Sequence, residues 1–382
     1  MKFYRSFFPF VVVALLLNAC SADDDTMEGD NEITISALRF IGEQVISDGE
    51  MFEGQPVGGL SSIDYANGQY YVISDAPAAP IRFYQMSLTF DENSFSAVTI
   101  NSQTELLNRD GNPFGETETD PEAIRFEPAT GNVVWTSEGY TDDRNVNPFI
   151  WESTTSGTFV RSMTIPDLFL ADSSATTGPR NNGSFEGLCR SANGTGYWAA
   201  MELPLAQDGA APIFGTDTES PVRIAFINRT TGQFGRQFAY ELDAVARDGG
   251  FTVNGVVEIL EYATDQFLVL ERSFASGTDD GGNDVHIYRV DASNATDVSG
   301  FDDLSDETYT KASKSLLFDF ESIRAQLSAA PGSTAKVVDN IEGLTFGPDL
   351  ANGNKSLVLV ADNNFSAFGA QLNQFIVFEV TP

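Results

Sequence analysis

Beyond residue 33 the chain is written in short apolar runs separated by polar turn residues, and helical periodicity is almost absent. The exception is Phe320, Ile323 and Leu327, whose one-sided spacing predicts a short helix over 319–330. Elsewhere the pattern predicts strands, and one hairpin recurs five times. Its copies are Ser61-Ser62-Ile63-Asp64-Tyr65 with 71–75, Glu122-Ala123-Ile124-Arg125-Phe126 with 134–138, Glu186-Gly187-Leu188 with 197–202, Glu258-Ile259-Leu260-Glu261-Tyr262 with 267–271, and Glu342-Gly343-Leu344-Thr345-Phe346 with 357–362. Between the two strands stand Asn67-Gly68, Thr130-Gly131, Asn193-Gly194, Thr264-Asp265 and Asn352-Gly353, the residue types a tight hairpin requires.

The copies start 61, 64, 72 and 84 residues apart, and each interval has room for two further strands. These fall at 81–90 with 95–106, 149–152 with 158–165, 223–228 with 234–242, and 284–290 with 314–318. The fifth copy has a third strand at 374–380 before the chain ends, and 33–46 can supply its fourth. The prediction is an all-β propeller of five four-stranded blades, closed by pairing of the N- and C-terminal strands. Six blades are the alternative if a weak one lies within 258–342. A pair of β-sandwiches would give no reason for one hairpin to recur.

In such a blade the first strand lines the central channel. The repeat therefore sets Ser61, Glu122, Glu186, Glu258 and Glu342 in one ring. The second strand returns to the same end, where Asp75, Glu138, Glu202, Glu271 and Asp362 form a second set. Carboxylates converging on one mouth repel one another unless a cation sits between them. Oxygen ligands without His or Cys select Ca²⁺ over zinc or copper. A repeated glutamate can also serve only to bond strand ends, so the acids by themselves leave a structural role open.

Composition narrows the chemistry. The 382 residues hold 55 acids against 21 Lys and Arg, a formal charge of -34, which opposes nucleic acid or anionic membrane as a direct partner. Hydrophobic residues at 42% allow a large core. A single histidine, His286, removes His-rich zinc sites, and its place in a third strand disfavours a Ser-His-Asp triad. Cys189, beside Leu188, is expected to be a small buried hydrophobe.

The N-terminus has the form of an address. Lys2 and Arg5 precede an apolar run from Phe7 to Leu17, too short to span a bilayer, and Leu17-Asn18-Ala19-Cys20 resembles a bacterial lipobox. Residues 1–19 are expected to be a lipoprotein signal peptide, Cys20 the acylated residue, 20–32 an acidic tether and 33–382 the propeller. Ser21-Ala22-Asp23-Asp24-Asp25 is similar to the acidic export tag of bacterial surface lipoproteins. The expected location is the outer membrane, lipid-anchored and cell-surface exposed, with membrane contact through the anchor alone and the protein a monomer.

The hairpins resemble the phytase-like family, described as esterase-like activity of phytase, over roughly residues 40–380. The landmarks are Gly59-Leu60-Ser61 with Ser74-Asp75, Asp120-Pro121-Glu122 with Ser137-Glu138-Gly139, and Asn182-Gly183-Ser184-Phe185-Glu186-Gly187-Leu188 with Glu202. Leu270-Glu271-Arg272, Asp339-Asn340-Ile341-Glu342-Gly343-Leu344, Ala361-Asp362-Asn363-Asn364-Phe365 and Gln371-Leu372-Asn373-Gln374 complete the set. Ala123 and Ile259 depart from it, standing where other copies carry Gly. The resemblance implies an extracytoplasmic propeller hydrolase of phosphate esters. The ring is also similar to the axial calcium site of five-bladed calcium-activated nucleotidases.

On this reading Ser61, Glu122, Glu186, Glu258 and Glu342, with Asp75 and Glu138 nearby, hold calcium. Glu202, Glu271 and Asp362 serve as general base or hold a second ion. Arg272 and then Arg180 are candidates to clamp the phosphate of a small anionic ester, with Asn182, Asn340 and Asn364 as neutral ligands or donors. The competing class is a non-catalytic, calcium-stabilised binding propeller.

Overall fold

The computed structural model describes residues 1–3, 33–76, 79–142, 144–172, 174–305, 307–367 and 369–382. The chain divides into Met1–Glu32 and Ile33–Pro382, and the account that follows concerns the second unit. Cys20 and almost all of the expected signal peptide and tether lie outside the described residues.

The second unit begins with β1 (Ala37–Ile46) and a small ribbon, β2 (Met51–Phe52) and β3 (Gln55–Pro56). Blade one is β4 (Ser62–Ala66), β5 (Gln69–Ser74), β6 (Arg82–Phe90) and β7 (Phe95–Glu105). Blade two is β8 (Pro121–Glu127), β9 (Asn132–Ser137), β10 (Phe149–Thr154) and β11 (Phe159–Ser162). Blade three is β12 (Phe185–Arg190), β13 (Gly196–Met201), β14 (Pro221–Asn228) and β15 (Phe234–Glu241). Blade four is β16 (Thr252–Ala263), β17 (Gln266–Ala275), β18 (Asn283–Asp291) and β19 (Ser313–Asp319). Blade five is β20 (Asn340–Asp349), β21 (Lys355–Asp362) and β22 (Asn373–Thr381), completed by β1.

The fold is thus a five-bladed propeller of antiparallel four-stranded sheets. Among the described residues, the 258–342 interval holds one blade and no sixth. β1 pairs β22 from Ala37 opposite Thr381 to Ile46 opposite Asn373, so the first strand of the domain closes the last blade. The predicted turns hold the hairpins: Asn67 and Gly68 both take positive φ, 53° and 78°, the geometry of a two-residue hairpin turn. The helix expected over 319–330 is two 3₁₀ turns instead, Phe320–Ser322 and Arg324–Gln326. Phe320, Ile323 and Leu327 are nonetheless all buried, so the apolar spacing was serving a packed corner rather than a full helix.

Second strands such as β9 and β21 read as continuous apolar runs because neighbouring blades cover both of their faces. The core accordingly lies between blades. Tyr71, Ile73 and Phe83 pack against Ile124, Phe126 and Trp135 at the blade one–two seam. Val358, Val360 and Phe375 pack against Ile63, Val72 and Tyr84 where the ring closes. The innermost strands β4, β8, β12, β16 and β20 touch in sequence and back to β4, forming the channel wall.

Candidate metal centre at the channel mouth

The pairing registers define which residues are equivalent at the mouth. Phe185 lies opposite Met201 and Gly187 opposite Ala200, which leaves Glu186 as a bulged residue turned out of the ladder. In blade five Glu342 is bulged in the same way between Ile341 and Gly343, and in blade two Glu122 falls within the corresponding irregularity. In blade four, however, the bulge falls between Val256 and Glu258, so the equivalent residue is Val257.

The returning strand gives the same answer. Asp75, Glu138 and Glu202 donate their backbone N–H to Gly59, Asp120 and Ser184. The matching pairs in the other blades are Asp362 with Asn340 and Arg272 with Gly255. The second ring is therefore Asp75, Glu138, Glu202, Arg272 and Asp362. Glu258 and Glu271, expected in these rings, each sit one residue out of register and leave the mouth. Glu258 takes the place of Ser62, Ala123, Gly187 and Gly343, deeper in the channel. There it meets Arg125 and accepts from Ser62 Oγ at 2.8 Å and Leu188 N at 3.0 Å. Glu271 is saturated by Lys314 Nζ at 2.7 Å, Asn254 Nδ2 at 2.9 Å, Asp243 N and the Tyr240 hydroxyl.

At the mouth, carboxyl oxygens of Asp120, Glu122 and Glu138 lie within 4.8 Å of one another. Asp120 lies outside the two rings that the repeat predicts; its signal in the sequence is its place two residues before Glu122, matched by Asn340 before Glu342. Burial and mutual repulsion raise the whole set. Glu122 is pushed well up by burial and then by Glu186, Asp120, Glu138 and Asp75. Glu138 and Glu186 are raised likewise, by burial first and their acidic neighbours second. Asp75 and Asp362 are raised by burial and then by charges that include Glu342. Burial lifts Asp120 to about 6 and Glu202 to about 7, and in Glu202 Arg272 partly opposes it.

The remaining candidates divide. Arg272 reaches Glu202 at 3.2 Å and Glu342 at 3.3 Å through one nitrogen, Nη2. Asn340 Nδ2 donates to Glu342 at 2.9 Å, and Asn364 N donates to Asp362 at 2.7 Å. Ser61 is buried and its Oγ donates to the Glu122 carbonyl at 2.8 Å. Arg180 instead ties a loop, donating to the carbonyls of Pro204 and Gly209 at 3.1 and 2.7 Å. Asn182 is an exposed turn residue with φ 53°. Cys189 is fully buried, and His286 lies on β18, 3.6 Å from Asp319.

The donor set fits a hard cation. It consists of carboxylates with no imidazole or thiolate, and among the described residues none of Asp120, Glu122, Glu138 or Glu186 has an ion-pair partner. Glu202 is 1% exposed, and its Oε2 has no hydrogen-bond partner. A buried oxygen so placed is costly unless something else bonds it.

No curated protein sequence matches the chain. Among solved structures it is similar to an endo-1,4-β-xylanase from Bacteroides thetaiotaomicron at 11% identity, with 84% of this chain and 90% of that one covered and a TM-score of 0.43. It is also similar to an α-L-arabinofuranosidase from Lactobacillus brevis (10%, 84% and 91%, 0.42) and to the catalytic domain of a GH62 α-L-arabinofuranosidase from Coprinopsis cinerea (11%, 91% and 98%, 0.41). Likenesses this distant say nothing of what this chain acts on. The family described as esterase-like activity of phytase matches residues 55–365, the stretch that holds every mouth residue named above, and the chain belongs to that phytase-like family.

Proposed function

We propose that the mouth binds a divalent cation, calcium by its donor chemistry, and that the protein is a calcium-dependent hydrolase of phosphate esters. The observation that carries this is the Asp120–Glu122–Glu138 cluster, close-set, free of ion pairs, and beside a buried Glu202 oxygen with no partner. Glu122, Glu138 and Asp120 would hold the ion, with Asp75, Glu186 and the Ser61 oxygen bordering it. When bound, the ion would supply Lewis acidity toward a phosphoryl oxygen. An anionic ester would otherwise be repelled by the acid ring.

The chain's own groups have distinct parts. Glu202, lifted to about 7 with Oε2 unpartnered, is the general base, taking a proton from water at that atom. Arg272 orients the anionic group, since its buried Nε also lacks a partner. Asp362 and Asn364 form the blade-five edge of the same mouth.

The test is direct. Purified protein given calcium or a chelator is melted and assayed on nitrophenyl phosphate, bis(nitrophenyl) phosphate, nitrophenyl acetate, a nucleotide and phytate. Calcium-dependent turnover of a phosphate ester, with a calcium-dependent thermal shift, is the expected result. A thermal shift without turnover on any substrate would leave a calcium-stabilised binding propeller, and absence of a shift would remove the ion. Acylation of Cys20 and outer-membrane anchorage belong to the same proposal. Mass spectrometry of the mature N-terminus checks them, and an unmodified chain beginning elsewhere would refute them.

A further inference from the structure

The two sides of the mouth are unequal. On blades one and two, Asp75, Asp120, Glu122 and Glu138 have no ion-pair partner among the described residues; Arg82 and Arg144 act on Asp75 and Asp120 only from beyond ion-pair distance. On the opposite side, Glu202 and Glu342 share Arg272, whose charge also acts on Glu186 and Asp362. That arginine comes from blade four, at the position where every other blade presents a carboxylate. In the same blade Val257 replaces the inner glutamate, and Gly255 has no side chain. An added Cβ at Gly255 would stand 2.5 Å from Glu202 Cγ and 2.9 Å from its Oε1. Blade four thus contributes no carboxylate to the rings, and its glycine leaves room for Glu202 to lie against it beside Arg272.

We propose that Arg272 is a built-in second cation: it fills the blade-four seat of the acid ring, so the mouth takes one divalent ion, off the axis on the Asp120–Glu122–Glu138 side. This rests on the reading that the mouth binds a divalent cation at all, and adds where the ion sits and how many there are. The magnitudes favour exclusion of a second ion. A divalent ion beside the guanidinium would meet about twice the repulsion that a monovalent ion would meet there, in a setting where burial weakens solvent screening. The guanidinium meanwhile already compensates Glu202 and Glu342. The unpartnered Glu202 Oε2 borders this seat as the atom that would take a proton from water beside the ion, and Glu138 and Glu186 both feel the Glu202 charge.

The proposal predicts ion stoichiometry, which is independent of turnover. Chelator-stripped protein is titrated with Ca²⁺ alone and counted by native mass spectrometry and calorimetry. The wild type should bind one tight ion per chain. Arg272→Glu, which restores a carboxylate to all five blades, should bind two. Glu138→Gln should weaken calcium binding at least tenfold more than Glu342→Gln, a comparison that decides the matter even if Arg272→Glu does not fold. Two ions in the wild type, one in a folded Arg272→Glu, or equal losses in the two glutamine variants would overturn the inference while leaving a calcium site. No tight ion in the wild type would overturn the calcium reading, and this inference with it.

Discussion

Arg125 Nη2 and Glu258 Oε2 lie 2.5 Å apart, joining blade two to blade four across the channel. Both are buried, and the strand between them, β12, adds the Leu188 N–H to the same carboxylate. Ser62 Oγ on blade one donates to it too. Four inner strands therefore converge on one ion pair beneath the mouth. Removing one member strands a buried charge. Arg125→Met is expected to cost about 3–5 kcal/mol in denaturant unfolding, whereas Arg125→Met with Glu258→Leu should recover most of the loss. A single substitution costing under about 1 kcal/mol would show that the pair is not closed to water.

The architecture was legible because propeller blades repeat their turn chemistry as well as their apolar runs. Asn67-Gly68 and the other turns fixed where each hairpin reverses, and 33–46 was identifiable as the closing strand because blade five lacked one. The site was only partly legible. Glu258-Ile259-Leu260-Glu261 aligned by residue type with Glu186-Gly187-Leu188, yet the two are offset by one position. A bulge carries no residue-type signature, and a shift of one residue sends every side chain of a strand to the opposite face. Asp120 is hidden for a related reason: it precedes the strand, where hydrophobic alternation gives no guide to direction. Arg180 stands two residues before Asn182 in sequence, but its donors face loop carbonyls.

Gly343 marks a close approach of backbone to backbone at the ring's closure. A Cβ there would stand 2.8 Å from Ser62 Cα and 2.9 Å from Ile63 N, both backbone atoms that have no rotamer to yield. Gly343→Ala is expected to destabilise by about 1–3 kcal/mol, the cost of overpacking. Gly187, where the nearest backbone atom would be at 3.2 Å, should tolerate Ala with a smaller loss. Equal stability of the two alanine variants by thermal and urea unfolding would contradict this ranking.

The raised carboxyls make metal-free stability depend on pH with an unusual sign. Asp120 at about 6 and Glu202 at about 7 hold protons more tightly in the folded chain than in the unfolded one. Their protonation therefore stabilises the fold fully below the ordinary carboxyl range, near 4, and that contribution is lost as pH rises through 6 to 7. In chelator, Tm should fall between pH 5 and pH 8, and the gain from calcium should grow over the same interval. Glu138→Gln should flatten the chelator curve. An unchanged slope in that variant would assign the effect to repulsion over the whole acidic surface.

Glu202→Gln tests the base most sharply, because the amide keeps the shape and can still face Arg272 while losing the proton acceptor. On any phosphate ester the wild type turns over, kcat should fall by about 10²–10⁴-fold with KM little changed. The wild-type rate should rise with pH on an acidic limb at or below about 7, since a bound cation favours the ionised carboxylate that burial alone holds near that value. The variant should lose this limb, and one calcium ion should still bind. A variant that retains both rate and limb would move the base elsewhere, with Asp362, the other second-ring acid that feels the Arg272 charge, next in line. A variant that loses calcium as well as rate would instead make Glu202 a ligand.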